Sequence, residues 1–104
     1  MLKQFKNYKR THATIKGKKI NLWIADDPQK KRLGLSKVKK LPRGWGMVFV
    51  YDQDVDHSFT MKDTTIPLTI IFLDKNMKII DSFFVKPGQK NIKPDKPYRY
   101  VVEI

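Results

Sequence analysis

Residues 58–74 read SFTMKDTTIPLTIIFLD, a polar knot followed by an apolar run. Lys62-Asp63-Thr64-Thr65 make the knot, Ile66-Pro67 lead out of it, and Leu68 to Leu73 run up to Asp74. Pro67 biases Ile66 towards extended backbone. Asp63, Thr64 and Thr65 carry short polar side chains that can bond the backbone of a bend. The pattern predicts a corner feeding a buried strand over 68–73. Asp74-Lys75-Asn76 is then a turn, and MKIIDSFFV (77–85) is the returning strand of a hairpin. Lys86-Pro87-Gly88-Gln89 has Pro and Gly where a type II turn wants them. Residues 90–97 read as a loop. The last strand is YRYVVEI (98–104), with Tyr98, Tyr100 and Val102 alternating against Arg99, Val101 and Glu103.

Working towards the N-terminus, FTM (59–61) reads as a short strand and DQDVDHS (52–58) as a polar connection. MVFVY (47–51) is a continuous apolar run, the mark of a strand buried on both faces. Gly44 and Gly46 suit a tight approach to that strand, and Trp45 between them reads as a lid on the core. KVKKLPRGWG (37–46) is a loop. A short helix is expected near residues 27–34, with Asp27 as N-cap, Pro28 at the first helical position and Gly34 as terminator, docked by Leu33 and Leu35. Residues 11–25 are two strand-like runs around Lys16-Gly17, a hairpin signal. Ile20, Leu22 and Ile24 share one face there, and Trp23 lies on the other. The expected fold is mainly β: a single antiparallel sandwich or barrel, jelly-roll-like, with one short helix. All 104 residues form one domain, with 1–10 as a candidate flexible basic arm.

Hydrophobic residues make up 40% of the chain, enough for a core. With no Cys, disulfides, thiolate zinc sites and cysteine nucleophiles are excluded. No apolar stretch is long enough for a membrane-spanning helix, and the basic start MLKQFKNYKR has no secretory apolar region. A cytoplasmic or virion location is therefore expected. The net charge is +12, and residues 1–43 carry all of it, with eleven Lys and three Arg against Asp26 and Asp27. Such asymmetry points to an acidic partner. The candidate binding face comprises Lys3, Lys6, Lys9, Arg10, Lys18, Lys19, Lys30, Lys31, Arg32, Lys37, Lys39, Lys40 and Arg43.

No cofactor or metal is expected. Asp52, Asp54 and Asp56 alternate as in a calcium loop, but His57 stands where such a loop needs Gly, which leaves them a weak set. His57 near Asp54, Asp56 and Asp63 could form a proton-transfer pair. No catalytic motif spacing accompanies it, and His12 has none either.

The chain resembles the uncharacterised family catalogued as domain of unknown function 192. Gly34-Leu35-Ser36, Gly46-Met47-Val48-Phe49, Thr60-Met61-Lys62-Asp63-Thr64, Ile66-Pro67-Leu68-Thr69-Ile70-Ile71-Phe72-Leu73-Asp74 and Tyr100-Val101-Val102-Glu103 follow its pattern in order, over about residues 18–104. The resemblance implies a compact jelly-roll-like β fold and marks Met61, Lys62, Asp63, Thr64 and Pro67 as the family's polar cluster. Three positions depart from it: Ser36 stands for a Met, Thr60 for a Trp and Thr69 for an Asp. Relatives usually continue beyond the position of Ile104 with a turn and another strand.

The first functional expectation is a non-enzymatic structural or interaction domain docking on an acidic protein surface, such as a capsid or tail protein of a phage particle. The second is a nucleic-acid-associated basic protein. The third is a small-ligand-binding or hydrolytic protein using His57, Asp63 and Thr64, which requires an internal pocket beside the knot.

Overall fold

The computed structural model describes residues 2–104, so Met1 lies outside the described residues. Six strands form one sheet: Arg10–Ile15 (β1), Lys18–Ala25 (β2), Trp45–Val55 (β3), Leu68–Leu73 (β4), Ile79–Val85 (β5) and Tyr98–Glu103 (β6). Their order is β1-β2-β3-β6-β4-β5. One helix, Pro28–Leu33 (α1), lies between β2 and β3. The fold is mainly β, as the strand spacing indicates, but the sheet is open and mixed rather than wholly antiparallel: β2 and β3 run parallel. A parallel pair needs a crossover, and here the crossover contains α1 and the 34–44 loop. Among the described residues no helix is long and apolar enough to cross a membrane.

Local chemistry explains the element ends. Lys16 and Gly17 both adopt positive φ (51° and 79°), the two-residue hairpin geometry that matches strand twist. Asp27 caps α1 by accepting the Lys30 backbone N–H at 2.8 Å, with Pro28 at the first position and Gly34 (φ 50°) ending it. Leu35 docks this segment, being buried, whereas Leu33 is half exposed. Asp74 accepts the backbone N–H of Asn76 and Lys78, which delays β5 until Ile79. Gly88 takes φ 84° in the 86–89 turn, closed by Gln89 N–H donating to Lys86 O.

Two expected elements differ. Residues 59–61 make a single bridge, Phe59 to Ile92, instead of a strand. β3, in contrast, continues through the acidic stretch to Val55, with an irregularity between Val50 and Val55 in its pairing with β6. That shift breaks the alternation of β6: Tyr98 joins Val101 in the main core, and Tyr100 pairs with Val50. The expected arm over 1–10 is also different from residue 2 onwards. Lys3–Phe5 is a 3₁₀ turn whose Phe5 is 2% exposed and packs on Trp23 and Tyr8.

Both sheet faces are apolar. One carries Trp23, Met47, Phe49, Ile70, Phe72 and Val101, covered by Phe5, Leu35, Val38, Met61 and Ile92 from outside the sheet. Trp45 stacks on Trp23 at 4.5 Å, the lid role its spacing suggests. The Trp23 indole N–H is buried and has no hydrogen-bond partner among the described residues. The opposite face holds Leu22, Val48, Ile71 and Val102.

Candidate functional site

The knot is a corner tied on two sides. Met61 is fully buried; its N–H donates to Gln89 O and its carbonyl accepts from Thr64 and Gly88. Lys62 N–H donates to Thr60 Oγ1 at 3.1 Å. Thr65 Oγ1 donates to Val38 O, and Lys37 N–H donates to Asp63 O, which joins the corner to the segment after α1. The side chains bonding backbone are therefore those of Thr60 and Thr65, rather than those of Asp63 and Thr64. The upstream part of the segment is anchored by Tyr98, whose hydroxyl donates to His57 O at 2.6 Å.

Between these ties a cleft of about 560 Å³ remains open. Pro28, Lys31, Arg32 and the 33–36 turn form one wall. His57, Phe59, Thr60, Asp63 and Thr64 form the other, and Phe49, Tyr51, Asp52 and Glu103 come from the sheet. The cavity beside the knot is thus an open cleft rather than an internal pocket. Phe49 and Phe59 meet edge to face at 5.2 Å. The Lys31 ammonium sits 4.2 Å from the centre of the Tyr51 ring, a cation–π distance.

Glu103 was not among the candidate site residues, and it is the most unusual group in the cleft. It projects from β6 opposite Met47 and is 5% exposed, and its carboxyl has no hydrogen-bond or ion-pair partner among the described residues. Burial pushes its carboxyl up to about 8. Burial, followed by the Glu103 charge, pushes the Tyr51 hydroxyl up to about 12. Tyr98 is raised too, first by burial. Gly34 allows this packing: a Cβ there would press on the Phe49 ring and come within 3.9 Å of Glu103 Oε1. A charged residue ending the apolar run YVVEI, on the face of Val101, was the available signal.

The other candidates are dispersed. Asp54 pairs with Arg99 at 3.0 Å and Asp56 with Lys93 at 3.2 Å, while Asp52 lines the cleft. Among the described residues no three His or acidic groups could hold a metal ion. His57 and Asp63 both line the cleft but share no hydrogen bond. Lys62 and Pro67 are exposed on the corner. In the basic set, Lys30 pairs with Asp27 at 2.6 Å; that bond holds Asp27 below the usual carboxylate range and raises Lys30. Lys3, Lys6, Lys9, Arg10, Lys18, Lys19, Arg32, Lys37, Lys39, Lys40 and Arg43 are exposed, spread over the 3₁₀ turn, the β1–β2 hairpin, α1 and the 34–44 loop.

The family model DUF192, described as "Uncharacterized ACR", matches residues 11–104. The chain belongs to this family. Two crystal structures share the DUF192 chain's fold. A "putative transcription regulator" from Sinorhizobium meliloti superposes with a TM-score of 0.81 at 23% identity, covering 93% of this chain and 81% of that one. A protein of unknown function from Novosphingobium aromaticivorans gives 0.75 at 18% identity, covering 100% of this chain and 86% of its own. No curated protein matches the chain. Ser36 and Thr60 both line the cleft, so two small polar side chains stand there.

Proposed function

We propose that the chain is a small-ligand-binding β domain whose site is the cleft between the α1 turn and the 57–64 segment. The observation that carries this reading is Glu103: a buried carboxyl without a partner, facing a cleft of about 560 Å³. Leaving such a group unpaired costs stability, and a buried polar group beside aromatic side chains in a concave site is a common make-up of a ligand site. The test is a fragment screen read by backbone amide shifts. Binding should perturb Gly34, Leu35, Phe59, Thr60 and Thr64 together, and filling the cleft by Thr60→Trp should abolish it. Shifts scattered outside the cleft, or unchanged in the filled variant, would refute the reading.

A second reading is favoured by the charge of residues 1–43, most of whose cations are exposed. It makes the chain a basic interaction module docking on an acidic protein surface, as in a phage virion component, working in the cytoplasm or the particle. Capture by an acidic capsid or tail protein should weaken as salt rises and with Lys37, Lys39 and Lys40 changed to Gln. Stronger capture by DNA of equal charge would favour the nucleic-acid alternative instead.

A further inference from the structure

We propose that the ligand is an organic cation: a primary ammonium or guanidinium on a short apolar stem, its head against Glu103 and its stem along Phe49, Tyr51 and Phe59. This rests on the reading of the cleft as a ligand site.

Three observations converge on a cation. Glu103 is the ionisable group that the sheet presents to the cleft from deep burial, and its carboxyl has no partner among the described residues. A buried carboxylate is stabilised by an opposite charge or by donors to its oxygens, and an ammonium or guanidinium supplies both. The sheet wall beside it is aromatic, and aromatic faces attract cations. That wall already holds one: the Lys31 ammonium over Tyr51, at 4.2 Å. The placement of the ionisable groups agrees. Among the lining residues Lys31 and Arg32 both belong to α1, whereas the sheet contributes the carboxyl groups of Asp52 and Glu103. An anion seated against the sheet would be repelled by the Glu103 carboxylate; a cation there would be attracted to it.

Binding should then be coupled to a proton. In the empty cleft burial keeps Glu103 protonated up to about pH 8. A seated cation favours the ionised carboxylate, so the proton leaves to solvent as the cation enters. Affinity therefore rises with pH below that point, by at most about tenfold per unit. The charged and titratable groups around it are Lys31 and Arg32 of α1, Tyr51 and Asp52 of β3, and His57 and Asp63 of the connection. All of them are retained in Glu103→Gln, so comparing the two proteins isolates Glu103.

The experiment titrates the full chain with n-butylammonium, butylguanidinium, n-butanol and butyrate at pH 6 and pH 8.5, following amide shifts. The cations should perturb Gly34, Leu35, Phe49 and Thr60 at pH 8.5, about tenfold tighter than butanol. They should weaken about tenfold or more at pH 6, and Glu103→Gln should lose both differences. Calorimetry of the wild-type chain in two buffers of different ionisation heat gives an independent measure, with net proton release expected at pH 7. Butyrate or butanol binding the cleft as tightly as the amines would overturn the cation assignment and leave the ligand site standing. Cation binding without proton release would overturn it as well. If no probe perturbs the cleft residues, this inference and the ligand-site reading fall together.

Discussion

The two faces of the sheet are built from the same strands and end in different roles. The face carrying Leu22, Val48, Ile71 and Val102 is aliphatic, and the groups packed on that cluster, such as Ile20, Ile24 and Leu73, come from the strands themselves. The face carrying Trp23, Phe49, Phe72 and Tyr98 is aromatic and receives the loops, the helix turn and the knot. Strand residues alone can fill a layer with branched side chains. A cleft requires a second layer that stops short of full cover, and only the aromatic face has one. Glu103 lies on that face, and the ionisable side chains lining the cleft come from the sheet and its covering segments.

The largest expected effects test whether both faces are core. Phe72 and Ile71 are neighbours in β4 on opposite faces, at 0% and 5% exposure. Phe72→Ala should cost about 3–5 kcal/mol and Ile71→Ala about 2–5 kcal/mol, read from urea midpoints. A cost for Ile71→Ala within the ~0.5 kcal/mol typical of surface positions would break the comparison, since that face would then behave as surface.

The next effects concern the end of β6, first its close approach to β3 and then the Glu103 carboxyl. A Cβ at Gly46 would run into the Glu103 carbonyl and the Ile104 side chain, so Gly46→Ala should destabilise by about 1–3 kcal/mol. The Glu103 carboxyl titrates near 8 in the folded chain against an ordinary 4.5. The folded chain therefore keeps a proton that the unfolded chain has lost, and this contribution to stability is full below pH 4.5. Stability should fall as pH rises from about 4.5 to 8, by at most ~1.4 kcal/mol per unit, then level off. Glu103→Gln should flatten that slope and be the more stable protein at pH 8. An unchanged slope would mean that Glu103 is ionised in the fold.

The smallest effect sharpens the contrast at the edge. Ile79 and Phe84 of β5 are 64% and 68% exposed. Changing either to Ser should move stability by no more than ~0.5 kcal/mol. A loss well above that would show that the edge is covered in solution.

Much of the fold was legible because its signals are local. Asp27, Pro28 and Gly34 bound a helix by capping and backbone geometry, and Lys16-Gly17 closes a hairpin by its φ angles. Leu68 to Leu73 reads as a buried strand in any context. The site was legible only in half. His57, Asp63 and Thr64 announced a polar cluster, yet the same residues suit a solvated corner. Glu103 read as one position in an alternating strand, and the shifted pairing of β3 with β6 altered that alternation at Tyr98.

The sequence by itself determined the mainly β class, the helix and its caps, the tight turns and the family, because each rests on residues near one another in the chain. Tertiary structure decided the rest. It set β2 parallel to β3, docked Phe5 on Trp23, and brought residues 28–36, 49–64 and 103 around one cleft. The burial that makes Glu103 unusual comes from groups distant in sequence, Gly34 and Phe49 among them, and a carboxyl's environment is not written in its neighbours along the chain.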